Sequence, residues 1–292
     1  MLYTNKSKKE KKVNGELDGN LKLKSSKFNL SNIKNLQKRK INRAESNSVS
    51  IPCELFSYDK YKHNELKFLL HVYIDITRNR DYTVNLYYAD FFDWIKTSKD
   101  IRTRTKKIKQ INIVLKEMEN NNLIKMYDIE NMCVRFEILE QFITYSKESF
   151  YNSGFVSVYI DEVQKIMNYD TSKYKGVSNG LLLYTYVCLV GEIKSTACKR
   201  DKENPCYYMK NFYCNLCNEI YSNKAVMKDT VQCLQDLGFI YATTPKRYKK
   251  ENGRMSCGAT IFALTYVRDK DKKIEYYGEN YINSVIKYAE RR

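Results

Sequence analysis

The second half of the chain repeats the first, and this duplication constrains the fold more than any other feature of the sequence. The segment SYDKYKHNELKFLLHVY (57–73) aligns with NYDTSKYKGVSNGLLLYTY (168–186) when two short insertions are allowed. Downstream, FYCNLCNEIY (212–221) takes the place of YADFFDWIK (88–96). A Lys- and Tyr-rich chain can match itself by chance, but chance does not also preserve the order of the elements that follow. We therefore expect two copies of one domain.

The first copy, predicted over residues 49–145, contains helical and extended patterns in a definite order. Its predicted elements are a buried helix (65–76), a short strand (82–87), a short helix (88–96), a basic helix within the stretch 98–124 and two strands (123–127 and 133–138) joined by an Asp-Ile-Glu-Asn turn. This is the order of a winged helix-turn-helix domain. With the second copy at 155–268, the predicted fold class is α+β, mainly helical, with two tandem winged helix-turn-helix domains.

The basic helix of the first copy has an apolar back and a cationic front. Its predicted buried stripe is Ile101, Ile108, Ile111, Leu115 and Met118. We expect Ser98 to cap the helix and Asn120 to Asn122 to end it, because asparagine tolerates left-handed backbone. Such a helix can lie in a DNA major groove, although a solvated surface helix would also be rich in charge. The predicted DNA-binding residues here are Arg102, Thr103, Arg104, Lys106, Lys107, Lys109 and Gln110.

The second copy has an equivalent helix followed by a long basic loop. Met227, Val231, Leu234 and Leu237 form its predicted apolar stripe, and Gly238 is placed to end the helix. Predicted strands at 239–244 and 260–266 enclose the loop PKRYKKENGRMSCG, whose cations could follow the DNA backbone or enter the minor groove. The predicted DNA-binding residues are Asn223, Lys224, Lys228, Thr230 and Gln232 in the helix, and Lys246, Arg247, Lys249, Lys250 and Arg254 in the loop.

The charge of the chain favours a polyanionic partner. The formal net charge is +17, and although AT-rich coding can enrich lysine, the acidic residues have not risen with it. Residues 1–48 alone carry 13 Lys and Arg against 4 Asp and Glu, and we expect a disordered basic tail. Two further segments lie outside the repeat: a polar insertion at 196–205, predicted to separate the first helix of the second copy from its short strand, and a C-terminal helix at 279–292.

No pattern of a catalytic or metal site stands out in the sequence. Cys214 and Cys217 form a CxxC, but Cys198 and Cys206 upstream are spaced too widely for a typical zinc site, so we expect core thiols and no metal. The two histidines do not form a nuclease metal motif, no phosphate-binding loop is present, and the carboxylate pairs are typical of solvated helix ends. We expect a cytoplasmic protein that is not an enzyme, has no cofactor and does not enter a membrane.

Over residues 50–266, this duplicated pattern resembles the tandem winged-helix replication initiators of plasmids and phages, including the replisome organisers of low-GC Gram-positive bacteria. The resemblance implies double-stranded DNA as the partner, with binding to repeated origin sites. It also implies recruitment of a host helicase or initiator protein and a choice between homodimer and monomer. In that family one domain, often the first, serves dimerisation as much as DNA binding.

Two other functions use the same sequence features differently. A winged-helix transcriptional regulator would bind DNA in the same way without contacting the replication machinery, although many regulators pair one winged domain with a ligand or dimerisation domain. A nickase or recombinase would need the metal or basic catalytic motifs that the sequence does not display. The duplication therefore favours an initiator of DNA replication.

Overall fold

The structure is a computed structural model, and it describes most of the chain beyond the N-terminal segment. The described residues are 48–52, 61–130, 132–139, 142, 155–200, 207–211, 215–216, 220, 223–244, 248–249, 255–256, 258–269 and 274–290. The tail predicted at 1–48 lies outside them except for Ser48, which begins a strand. Helices and small antiparallel sheets alternate along the described chain, so the fold is α+β.

The first half contains the predicted elements in the predicted order, preceded by one additional strand. Its elements are β1 (Ser48–Pro52), α1 (Tyr61–Thr77), β2 (Thr83–Tyr87), α2 (Tyr88–Trp94), α3 (Ile101–Asn120), β3 (Ile124–Glu130) and β4 (Cys133–Ile138). The turn predicted at Asp128 to Asn131 is wrong, because β3 continues to Glu130. An irregularity between Met126 and Asp128 shifts the register and lets the strand pair further than its sequence pattern suggests.

The second half follows a similar order, with one helix inserted after its first strand and additional elements at its end. Its elements are β5 (Phe155–Tyr159), α4 (Ile160–Asn168), α5 (Asn179–Arg200), β6 (Tyr208–Asn211), α6 (Lys224–Asp236), β7 (Ile240–Thr243), β8 (Tyr248–Lys249), β9 (Met255–Ser256), β10 (Thr260–Leu264), β11 (Tyr266–Asp269), β12 (Ile274–Tyr277) and α7 (Gly278–Glu290). The segment 212–221, predicted to correspond to α2, lies mostly outside the described residues. The insertion predicted at 196–205 is wrong in its first part, because α5 continues to Arg200. The strand predicted at 260–266 is interrupted at Thr265.

Each half builds a three-stranded antiparallel sheet with its last strand in the middle. The strand orders are β2-β4-β3 in the first half and β6-β10-β7 in the second. In the first sheet the pleat turns Val84, Leu86, Val134 and Phe136 inward, and all four are fully buried. In the second sheet every residue of β10 is buried, because both faces of that sheet are covered.

The C-terminal helix α7 covers the outer face of the second sheet. Ile282, Val285, Ile286 and Ala289 on the helix pack with Tyr208, Tyr241, Ile261 and Ala263 on the sheet. This apolar face at helical spacing confirms the amphipathic helix predicted near the C-terminus. None of the described helices combines the length and the apolar character needed to cross a membrane.

The two halves meet through their equivalent first strands and first long helices. Strands β1 and β5 pair antiparallel about Ser50 and Ser157. Helices α1 and α5 pack against each other, and the rings of Phe68 and Tyr184 meet edge to face with their centroids 5.2 Å apart. One buried apolar cluster therefore continues from the first half into the second. The predicted domain limit at residue 145 lies outside the described residues, and the division into two domains stays a prediction.

Left-handed residues follow the two helices that the sequence assigns to DNA binding. After α3, Asn122 has φ of 55°, and after α6, Gly238 has φ of 74°. Asparagine and glycine adopt this conformation at the lowest cost, so the backbone can turn directly into the following strand after each of the two helices. Both predicted helix ends are confirmed.

Candidate nucleic-acid interface

Helix α3 is capped by Asp100 and not by Ser98 as predicted. The Asp100 carboxylate accepts hydrogen bonds from the backbone N–H of Thr103 at 2.8 Å and from its hydroxyl at 2.7 Å. The Thr103 side-chain and backbone hydrogen bonds hold the pKa of Asp100 below its usual value. Ser98 instead accepts from the Asp100 backbone N–H, and the residue that directly precedes the helix provides the cap. The hydroxyl of Thr103 is thereby used within the helix.

The inner face of α3 holds the helix against its own half of the molecule. Ile111, Leu115 and Met118 are buried as predicted, and Ile108 is half-buried. Ile101 was predicted to belong to this stripe, yet it is 80% exposed. The helix begins at Ile101, so this residue has the spacing of the stripe but precedes the turns that pack against α1 and β3.

Two cations predicted to face DNA instead connect α3 to the residues before it. The Arg104 guanidinium lies 3.2 Å from the Asp93 carboxylate and 5.4 Å from the centre of the Phe92 ring, and it donates to the Ser98 carbonyl. Lys107 donates to the Thr97 hydroxyl at 3.0 Å. Arg104 precedes Ile108 by four residues, which places it on the inner side of the helix. The prediction that it faces away from the apolar stripe is wrong.

The outward face of α3, which we call the cationic face, carries the remaining predicted residues. Arg102, Lys106, Lys109 and Gln110 are all exposed. Two residues that the sequence analysis did not select continue this face: Lys116 is exposed, and Ile113 is 66% exposed. Spacings of four, three, four and three run from Arg102 to Lys116, so helical periodicity extended for two more turns would have found them. Across the described part of the chain, no ion pair engages the four cations of this face.

The hairpin after α3 adds cations that the sequence analysis also missed. Lys125 and Arg135 are exposed on β3 and β4, and Met132 is exposed at the tip between the strands. The Lys125 ammonium lies 5.5 Å from the centre of the Tyr127 ring, and the Tyr127 hydroxyl donates to Glu137. Alternation along β4, with Val134 and Phe136 inward, is the signal that would have placed Arg135 on the solvent side.

The equivalent helix α6 presents fewer of its predicted residues. Asn223 caps the helix by accepting from the Val226 backbone N–H at 2.9 Å, and Lys224 and Lys228 are exposed. Thr230 is fully buried and donates to the Val226 carbonyl at 2.7 Å, so its selection as a DNA contact is wrong. It follows the buried Met227 by three residues and therefore lies on the inner side.

The C-terminal end of α6 is held by the loop that precedes α5. The Asp236 carboxylate accepts hydrogen bonds from the hydroxyls of Tyr169 at 3.2 Å and Tyr174 at 3.0 Å. Burial and this carboxylate raise the pKa of Tyr174 to about 12 and raise that of Tyr169 as well. Gln232 donates to the same carboxylate at 2.9 Å. Its amide, predicted to contact a base, is therefore engaged within the helix.

The predicted basic loop of the second half is described only in part. Lys249 lies in β8, which pairs with β9 as a two-residue ladder. The other loop residues predicted to bind DNA lie outside the described residues: Lys246, Arg247, Lys250 and Arg254. Of the cysteines weighed for zinc, Cys198 belongs to α5, while Cys206, Cys214 and Cys217 lie outside. Among the residues that the structure describes, no three His, Cys, Asp or Glu side chains gather closely enough to hold a metal ion.

A cleft of about 700 Å³ separates α3 from the second half of the molecule. Gln110, Ile113 and Val114 of α3 line one side, and Val177 and Asn179 line the other. The Lys67 ammonium of α1 contacts the Glu117 carboxylate of α3 at 2.6 Å within the same cleft. Gln110 and Ile113 therefore lie where the cationic face meets the cleft, whereas the four cations of that face lie outside the cleft lining and are exposed.

Comparison with known proteins assigns the chain to no family. No protein-family model matches it, and no curated protein does so either. Function is therefore inferred from the residues and geometry of the described chain.

Proposed function

We propose that the protein binds double-stranded DNA in a sequence-specific manner and that α3 is its principal recognition helix. The observation that carries this proposal is the cationic face, where Arg102, Lys106, Lys109 and Lys116 all point to solvent. Arginine can donate two hydrogen bonds to guanine, and lysine neutralises phosphates. Desolvating such a face is favourable only against a polyanion, and the net charge of +17 points to the same class of partner.

The architecture supports winged helix-turn-helix domains in both halves. In each half a long helix is followed by a hairpin, and the hairpin pairs with the short strand that precedes the helix, giving the two similar sheets. In the first half, the hydroxyl of Tyr88 on α2 donates to Asn112, which fixes α3 across the preceding helix. A helix presented in this way, with a hairpin beside it, can enter the major groove while the hairpin contacts the backbone.

Within this class, we propose a plasmid or phage replication initiator that recruits host replication machinery. The duplication supports it, because one chain then offers two helices to repeated sites. A transcriptional regulator is the alternative, and the bound DNA distinguishes the two. Sequencing the DNA that co-purifies with the protein should yield repeats beside an AT-rich stretch. A single promoter palindrome would instead identify a regulator.

The salt dependence of binding tests the proposal most directly. Neutralising about six phosphates predicts that log K falls against log salt with a slope near −5. The measurement is fluorescence anisotropy of a labelled duplex titrated with the full chain between 50 and 300 mM salt, where about 100 mM gives a Debye length of about 10 Å. A slope near zero over this range would contradict a DNA-binding function.

A further inference from the structure

Ile113 is an apolar residue in the middle of the cationic face. It follows Lys109 by four residues and precedes Lys116 by three, so the three side chains lie along one line of α3. The Ile113 side chain is 66% exposed, and the buried residues of the helix lie on the opposite side. Every other outward residue from Arg102 to Lys116 is polar or charged.

Ile113 also lines the edge of the cleft beside Val114, but it is still 66% exposed, so folding does not explain an isoleucine at this position. An exposed isoleucine contributes little burial, and its branched side chain favours a helix less than the lysines and glutamine around it. Ile101 is also exposed, but it is the first residue of the helix, where the spacing of the inner stripe continues beyond the core. Ile113 lies three turns further on, where the inner face is fully packed by Ile111 and Leu115.

We infer that Ile113 contacts the 5-methyl group of a thymine in the major groove and so determines part of the DNA sequence that the protein prefers. This inference rests on the proposed binding of duplex DNA by α3. Thymine is the one base that presents a methyl group in the major groove, and an apolar side chain can recognise it only by contact. The ligand is therefore a duplex with a thymine at a fixed position beneath the fourth turn of α3, flanked by phosphates that Lys109 and Lys116 neutralise.

Replacing thymine with deoxyuridine tests this contact, because the change removes the methyl group and leaves every hydrogen-bonding group in place. A duplex is first selected from a random pool with the full-length protein, and each thymine is then replaced singly. At one position the replacement should weaken binding about fourfold, the value expected for one buried methyl group. With Ile113→Ala the same replacement should leave affinity unchanged, because the contacting side chain has been removed.

Ile101→Ala is the matched control, since it removes an exposed isoleucine from a different side of the same helix. It should retain the fourfold sensitivity to deoxyuridine. Circular dichroism should show both variants folded, because neither side chain is buried. If no position in the selected duplex responds, or if Ile113→Ala responds as the wild type does, the inference is overturned while DNA binding stands. If no duplex is enriched or bound at all, the DNA-binding proposal fails and this inference fails with it.

Discussion

Helices α3 and α6 occupy equivalent places in the duplication, yet they present different charges. Helix α3 contains six Lys and Arg against two Glu, and both acids lie in its last turn. Helix α6 contains two Lys against two Asp. The apolar stripes that hold the two helices are similar, whereas their outward faces differ in charge. Equivalent positions in the fold therefore carry outward surfaces of different charge.

The two helices also differ in how their polar residues are used. On α6, Asp236 joins the helix to Tyr169 and Tyr174 and takes up the amide of Gln232. On α3, the cations that bond to other protein groups lie towards the inner side of the helix, and the cations of the cationic face are exposed to solvent. Under the proposed function, this contrast predicts that the first half makes most of the DNA contacts, whereas the family resemblance implies that a first domain often serves dimerisation.

The largest expected effect comes from removing the cationic face. The triple variant Arg102→Ala/Lys106→Ala/Lys109→Ala should bind duplex DNA about 100-fold more weakly at physiological salt, and its salt slope should become about three units shallower. The double variant Lys224→Ala/Lys228→Ala is the matched change on α6, and its slope should shift by less than about one unit. Anisotropy titrations measure both. Equal losses per cation removed would show that both helices contact DNA alike.

Two arginines of α3 allow an exposed cation to be compared with one that is bonded within the protein. Arg102→Ala should weaken binding by about 1–3 kcal/mol if Arg102 contacts a base, and should leave the free energy of unfolding unchanged. Arg104→Ala should instead lower the free energy of unfolding by about 1 kcal/mol, because it removes the Phe92 contact and an ion pair screened by solvent. Urea unfolding and anisotropy separate the two effects. Asp93→Ala should reproduce part of the stability loss, and a loss of stability in Arg102→Ala would contradict this assignment.

The apolar periodicity of the sequence predicted where the helices lie. It did not predict which cationic side chains pair with other residues of the protein. Ile111, Leu115 and Met118 could be placed because the core requires apolar side chains at helical spacing. Arg104 has the spacing of the same stripe, but its partner Asp93 lies in α2, and the sequence gives no sign of how α2 meets α3. Pairing between elements depends on tertiary geometry, which local patterns do not encode.

The pairing of strands that lie far apart in the chain likewise could not be predicted from the sequence. Strands β1 and β5 are five residues each and lie far apart in the chain, and nothing near either strand indicates its partner. The duplication could have suggested it, because equivalent strands of two similar halves can pair about a shared centre. Helix α4 follows β5 directly and was also missed, since its nine residues fall short of the length at which helical periodicity is distinct.

Two glycines of α5 test how closely this helix packs against its neighbours. A methyl group at Gly191 would lie 2.7 Å from the Val156 side chain of β5, which is stiff because it branches at Cβ. Gly191→Ala should therefore lower the free energy of unfolding by about 1–2 kcal/mol despite the better helix propensity of alanine. Gly180→Ala is the comparison, because the neighbours there are the ends of longer side chains of α1, the Glu65 carboxylate at 2.9 Å and a Leu69 methyl group at 3.1 Å. A change within about 0.5 kcal/mol is expected there, and an equal loss at both sites would contradict the argument.

The smallest expected effect concerns a pair of corresponding residues, one in each half, whose side chains have very different pKa values. His71 in LLHVY of the first half corresponds to Tyr184 in LLYTY of the second. His71 is buried, stacks on Phe142 at 4.4 Å and hydrogen-bonds to the Ser50 backbone. Burial lowers its pKa to about 4, and the nearby Lys67 ammonium acts in the same direction. Burial raises the pKa of Tyr184, so that hydroxyl does not titrate in mild acid.

Acidification should therefore destabilise the protein through the first half. Because the pKa of His71 is lower in the folded state than in the unfolded one, the unfolded state binds more protons as the pH falls from about 6.5 towards 4. Between pH 7 and pH 5.5 this difference should lower the free energy of unfolding by about 1 kcal/mol. The pKa of Asp75 is raised by burial, and its protonation acts in the opposite sense at lower pH. Urea unfolding at the two pH values should show the loss in the wild type and a smaller one in His71→Gln. An undiminished pH dependence in that variant would assign the loss to other groups and remove this difference between the halves.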